Sequence, residues 1–379
     1  MEPAPVICFL RHAVLKAVAA ALFIPLLCCA AAVEPGPPAP ALDWHDATTW
    51  GVEGRAWTDL RRLRWFDRLP AIAEGRVTDP VWTLSRDSAG MMLRFRTDAT
   101  EIWAHYVLSS EKLADTNMPA TGVSGLDFYA RDPEGRWRWV AVTKPVRQEY
   151  DQAVITGLSP GMREYAAYLP LRNGVQSLAI GVPSGTRFEG LRPRDAKPIV
   201  FYGTSITHGY CASRPGMVHT AIIGRFFDRP VINLGFNGNG KMDEEVGRLL
   251  CLIDAGAFVI DCLPNMDPDE VRVKCPILVK MLRAARPQTP IVLVEDRRNA
   301  NAWILPARDA HHSENHAALR AAFEALKREG IAGLYYIPGD HLYGDDGEGS
   351  TDGSHPSDLG FVRQAAVFEP VLRAALGNE

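Results

Sequence analysis

Residues 198–209 read Pro-Ile-Val-Phe-Tyr-Gly-Thr-Ser-Ile-Thr-His-Gly. Ile199 to Tyr202 are apolar without alternation, the pattern of a strand covered on both faces. The Gly-Thr-Ser that follows breaks this pattern where a helix can begin. Runs of the same kind recur outward from it at 230–236 (PVINLGF), 257–264 (AFVIDCLP), 290–296 (PIVLVED) and 334–339 (LYYIPG). Helical patterns lie between most of them, at 242–254, 269–286 and 315–330, and a last one covers 361–376. Doubly covered strands alternating with amphipathic helices predict an α/β fold over residues 196–379, with a parallel sheet in a three-layer, flavodoxin-like arrangement. Sites in such sheets collect at the carboxyl ends of the strands.

Upstream, over residues 41–195, the period changes to two. VWTLSRDSAG (81–90), MMLRFRTDA (91–99) and EIWAHYVLSS (101–110) read as consecutive strands, and GLDFYARD and RWRWVAV flank Pro-Glu-Gly as a hairpin over 125–142. Further short runs follow at 151–158, 163–171, 176–183 and 186–193, so this half is expected to be an all-β sandwich of jelly-roll type. Five tryptophans here, Trp57, Trp65, Trp82, Trp137 and Trp139, are candidates for stacking on sugar rings, although sandwich packing accounts for most of them.

The whole chain has 379 residues, 47% hydrophobic and 23% charged, which leaves ample core for two domains and excludes a disordered or polytopic membrane protein. Its net charge of −4, with no basic block, excludes a nucleic-acid partner. Residues 1–32 depart from this average: Arg11, His12 and Lys16 precede the uncharged run AVAAALFIPLLCCAAA, which ends in small residues. This is the order of a secretory signal with cleavage near Ala32, followed by a proline-rich linker over 33–40. An uncleaved anchor is the alternative. A secreted or periplasmic mature chain without stable membrane insertion is expected. Cys211, Cys251, Cys262 and Cys275 would remain, as buried thiols or with a disulfide.

Ser205, placed just after the first buried strand, reads as a helix cap or, with partners, as a nucleophile near backbone N–H groups. Asp352-Gly353-Ser354-His355, just before the last helix, can fold a carboxylate onto the histidine and leave Nε2 free for a serine proton. Gly238 follows the second strand and Asn265 the third, which would offer an N–H and an amide at the same sheet edge. His311, His312 and His316 read as a solvated loop entering a helix, without the spacing of a metal site.

Taken together, serine after strand one, Gly and Asn after strands two and three, and D-x-x-H before the last helix resemble the SGNH, or GDSL-like, hydrolases over residues 196–379. Two positions depart from that pattern: Thr204 stands where the serine block has aspartate, and Leu263-Pro264-Asn265-Met266 replaces G-x-N-D. Gly125-Leu126-Asp127-Phe128-Tyr129 resembles the G-x-D-L-Y motif of SGNH-type esterases that carry an N-terminal jelly roll, with Phe128 for leucine. The resemblance implies catalytic Ser205, Asp352 and His355, an oxyanion hole of Ser205, Gly238 and Asn265, and no cofactor or metal. It also implies an esterase or deacylase of carboxylic esters, with O-acetyl groups on a small or polymeric carbohydrate as the expected substrate. Transfer of the acyl group to an alcohol is the alternative. A carbohydrate-binding protein with a vestigial hydrolase domain is the reading from another class.

Overall fold

The computed structural model describes residues 41–377, so the expected signal and linker lie outside the described residues. The first half runs β1 (Leu42–Asp46), α1 (Asp79–Leu84), β2 (Met92–Thr97), β3 (Ile102–Leu108), α2 (Ala120–Val123), β4 (Asp127–Arg131), β5 (Trp137–Val142), β6 (Glu149–Ile155), β7 (Arg163–Tyr168), β8 (Val175–Pro183) and β9 (Phe188–Leu191). Two antiparallel sheets form, ordered β1-β8-β3-β6 and β5-β4-β7-β2-β9. Strands 1-8-3-6 facing 5-4-7-2 is the jelly-roll order, here with β9 added at the β2 edge. Strand β3 shows why the sheets pair. Ile102, Ala104, Tyr106 and Leu108 alternate inward and are fully buried against Phe95, Phe128 and Ala167 of the facing sheet.

One strand expectation fails. Residues 79–84 are helix α1, because Asp79 and Pro80 start a helical turn and Val81 turns into the neighbouring α/β core. An apolar run this short is ambiguous between strand and helix.

The second half runs β10 (Ile199–Gly203), α3 (Ser205–His208), α4 (His219–Phe226), β11 (Val231–Gly235), α5 (Glu244–Leu250), β12 (Ala257–Asp261), α6 (Pro268–Ala285), β13 (Ile291–Val294), α7 (Pro306–Arg328), β14 (Leu334–Ile337) and α8 (Asp358–Leu376). The sheet is parallel throughout, ordered β11-β10-β12-β13-β14. Helices α5, α6 and α7 cover one face, and α4 and α8 the other. The strand order reverses at β10, so β10 and its neighbours β11 and β12 open a crevice at their carboxyl ends.

Both halves belong to one compact unit and share a core. Trp57, Leu69, Val77 and Val81 pack with Tyr202, Leu234 and Phe236, and Trp57 Nε1–H donates to the Leu249 carbonyl at 3.0 Å. Arg68 is fully buried at the junction, donating to the carbonyls of Gly235 (2.7 Å), Asn233 (3.2 Å) and Leu84 (2.6 Å). The G-x-D-F-Y motif is a second bolt. Asp127, with no exposure, accepts from Gly216 N–H at 2.7 Å, Arg214 Nη1 at 2.8 Å and Trp139 Nε1 at 2.9 Å. Gly216 is needed there, since a Cβ would sit 2.4 Å from the Tyr129 ring. The four cysteines of the described residues are free thiols, and no helix among those residues is long and apolar enough to cross a membrane.

Candidate active site

Strand β10 ends at Gly203, and Thr204 caps α3, its Oγ1 accepting the Ile206 N–H at 3.3 Å. Ser205 is therefore the first helical residue and not the cap, which leaves its hydroxyl free for other chemistry. Ser205 Oγ–H donates to His355 Nε2 at 2.9 Å, and His355 Nδ1–H donates to Asp352 Oδ2 at 2.8 Å. Asp352 Oδ1 is filled by the N–H groups of Ser354 (3.0 Å) and His355 (2.8 Å), so the loop orders its own carboxylate. Burial works to raise the Asp352 pKa, but these N–H groups and the imidazole outweigh it and hold the carboxyl below its ordinary range. The structure thus brings together the serine, histidine and aspartate singled out in the sequence, although His355 lies 150 positions after Ser205.

Gly238 lies in the turn after β11 at φ +71°, a left-handed conformation that favours glycine. Asn265 closes the short turn after β12. Its Oδ1 accepts the Gly240 N–H at 3.2 Å, which ties the β11 and β12 loops together, and its Nδ2 has no hydrogen-bond acceptor among the described residues. Three possible oxyanion donors therefore come from the carboxyl ends of three adjacent strands, as the sequence order implied.

Several functional neighbours carry no sequence motif. The Tyr210 ring meets the His355 imidazole edge-on at 4.6 Å, and the Arg172 guanidinium stacks on Tyr210 at 5.1 Å. Asn117, from the β-sandwich half, donates to Asp352 Oδ2 at 2.9 Å. Beneath α3, Arg297 makes a buried two-pronged pair with Asp261, which also accepts from Thr207 Oγ1 at 3.2 Å and so fixes the helix carrying Ser205.

Among the described residues, two clusters have metal-type side chains. Cys211 lies beside Asp352 and His355, but burial and the Asp352 charge push its thiol up to about 12, so it stays protonated at neutral pH. The other corrects the reading of His312 and His316 as solvated loop residues. Both are buried one turn apart within α7, because residues 306–314 continue the helix. His312 and His316 face Asp296 at 2.5 and 2.6 Å. The Asn299 N–H donates to His312 Nε2 at 3.2 Å, so His312 Nδ1 carries its proton toward Asp296 and cannot also ligate an ion. Burial opposes a charge on His316, but Asp296 and Glu295 raise its pKa, and the cluster is a hydrogen-bonded clamp between β13 and α7.

A cleft of about 340 Å³ opens beside the serine, bordered by Ile206, Pro264, Asn299, Arg308 and Ser354. Asn299 also borders a second cleft, with Trp303 and Asp345 on its walls. Of the tryptophans considered for sugar stacking, Trp57 is buried, while Trp65, Trp82, Trp137 and Trp139 lie against Arg55, Arg86, Arg131 and Arg214. Trp139 stays 51% exposed beside Arg214, and Trp303 is more exposed still, at 83%. Its segment touches the histidine loop, with Ala300 N–H donating to the Gly353 carbonyl at 2.8 Å.

Residues 196–373 match the GDSL-like Lipase/Acylhydrolase family, and residues 42–188 match the GxDLY family, described as the N-terminus of Esterase_SGNH_hydro-type proteins. No curated protein matches the chain. Among solved structures, a Bacteroides ovatus protein described as a GDSL-like lipase is 31% identical, with TM-score 0.84 over 89% of this chain and 98% of its own. Two others share the fold. A salicylyl-acyltransferase from a tetracycline biosynthetic pathway has 19% identity and TM-score 0.68, over 89% of this chain and 96% of its own. A family two carbohydrate esterase from Clostridium thermocellum, in complex with cellohexaose, has 14% identity and TM-score 0.55, over 77% of this chain and 96% of its own. The two matched segments, the hydrolase fold and the 31% identical full-length relative together make this chain a member of the GDSL-like lipase/acylhydrolase family, an SGNH-type esterase with a GxDLY N-terminal region.

Proposed function

We propose that this chain is an exported serine esterase that removes acyl groups, chiefly O-acetyl groups, from carbohydrate through an acyl-enzyme on Ser205. The reading rests above all on the continuous hydrogen-bond chain Ser205 Oγ, His355 Nε2, His355 Nδ1, Asp352 Oδ2. Ser205 Oγ attacks the ester carbonyl while His355 takes its proton and Asp352 holds the imidazole in the tautomer that can accept it. The tetrahedral oxyanion is held by the N–H groups of Ser205 and Gly238 and by Asn265 Nδ2. His355 then gives the proton to the departing alcohol, and water repeats the sequence to free the acid. On 4-nitrophenyl acetate, Ser205→Ala should lose turnover by several orders of magnitude, and a variant of undiminished activity sinks the assignment.

A carbohydrate alcohol is supported by two features. The cleft of about 340 Å³ exceeds what an acetyl group fills, leaving room for the ring that carries it. Trp303 offers an exposed indole face on the same sheet edge, of the kind that stacks on sugars. Trp303→Ala should raise KM on acetylated xylan several-fold while leaving kcat/KM on 4-nitrophenyl acetate within about twofold of wild type. Equal effects on both esters would remove Trp303 from glycan binding.

A further inference from the structure

Asn117 lies between β3 and α2, 235 positions before Asp352. Its turn is stiffened by reciprocal backbone hydrogen bonds between Asp115 and Met118, at 2.9 and 3.2 Å. Its Nδ2–H reaches the Asp352 oxygen that also accepts the His355 Nδ1–H. Among the described residues, every other donor to Asp352 comes from Ser354 or His355 in the same loop, so Asn117 is its one outside support. The Asn117 Oδ1 is buried without a hydrogen-bond partner among the described residues. Turning the amide over would aim that oxygen at the carboxylate, so Asp352 dictates the orientation while the acceptor goes unsatisfied.

We propose that Asn117 is a positioning residue for the reaction, by which the β-sandwich half completes the active site. This rests on the serine-esterase reading above. With Nδ2–H in place, the carboxylate cannot swing away from the imidazole, and part of its negative charge is drawn off. Without it, the carboxylate is free to swing off the Nδ1–H, and the imidazole is no longer held in the tautomer that must accept the serine proton. The other ionisable groups facing His355 and Asp352 among the described residues are Tyr210, Cys211 and Tyr343, whose hydroxyl donates to the Ser354 carbonyl, with Asp115 and Arg172 acting on Tyr210 and Cys211, and all belong to the unchanged background.

The test compares the full chain with Asn117→Ala and the near-isosteric Asn117→Asp on 4-nitrophenyl acetate, with Ser205→Ala alongside and the melting temperature of each. Losing a hydrogen bond to a charged group should lower kcat about tenfold or more with KM within about twofold. The acidic limb of the kcat/KM profile should move to higher pH in Asn117→Asp, which sets a second negative charge beside Asp352 and the imidazole. Wild-type kcat and pH profile in both variants overturn the proposal, as does a loss of activity that only tracks a fallen melting temperature. If Asn117→Ala does not fold, Asn117→Asp alone is judged by the same criteria. An inactive Ser205→Ala beside unaffected Asn117 variants removes only the positioning role, whereas an active Ser205→Ala removes the esterase reading itself.

Discussion

The two readings open for Ser205, helix cap or nucleophile, fall to two neighbouring residues, Thr204 and Ser205. The threonine caps α3 and the serine, one position later, spends its hydroxyl on His355. The substitution of threonine for the family's aspartate therefore leaves the nucleophile's setting intact. Asn265 is similarly divided: its carbonyl oxygen ties down Gly240 and its Nδ2 remains for the oxyanion. Asn265→Ala should cut kcat by ~10² to 10³ and not to zero, because two backbone donors remain. A drop smaller than about threefold in steady-state turnover would take Asn265 out of the oxyanion hole. Ser205, Gly238, Asn265, Asp352 and His355 stand out as candidates in the sequence because each lies a few residues after a strand or before the last helix. Asn117 does not, since a lone asparagine in a polar turn has no pattern, and only folding brings it across to Asp352.

The same contrast holds for the elements. Parallel strands buried on both faces declare themselves by unbroken apolar runs, and all five of the α/β half were read near their observed places. The α1 segment was misread because its four apolar-rich residues suit either period, and its helical state is set by contact with the other half of the molecule. The start of α7 was misread because its histidines look solvated until Asp296 supplies a buried partner. The G-x-D-F-Y strand shows what a motif can do mechanically. Asp127 holds the segment 214–216, which follows the Ser205 helix, and burial raises its pKa despite the Arg214 charge. Asp127→Ala should lower stability by about 3 kcal/mol in urea denaturation, since it strands a buried N–H and an arginine together. A change below about 0.5 kcal/mol would mean that the motif does not bolt the halves together.

At the scale of the whole molecule, two buried histidines make stability depend on pH, His208 at the junction of the halves and His219 inside the α/β core. His208 is buried beside Arg68 and Asp87, and burial with the Arg68 charge pushes its pKa down to about 3. Among the described residues His219 has no hydrogen-bond partner for either ring nitrogen, the Asp261 carboxylate lying 4.0 Å from Nε2, and it stacks on Phe361, with burial and Arg297 holding it well below its ordinary value. Both remain neutral in the folded chain where the unfolded chain takes up protons, from the ordinary value of 6.5 downward. The unfolded state then binds more protons, so stability falls as pH drops below that value, by about 1.4 kcal/mol per pH unit for each histidine. His219→Phe removes one of the two, and denaturation between pH 6 and 4 should show an acid-side slope shallower by about that amount. An unchanged slope would show that His219 does not carry this dependence. The central claim, that this two-part fold exists to activate one serine, is tested most directly by labelling the intact chain with a serine-directed phosphonate and mapping the adduct by peptide mass spectrometry. The expected result is one adduct per chain, on Ser205, lost in His355→Ala; no adduct, or an adduct on another serine with Ser205 unmodified, would contradict it.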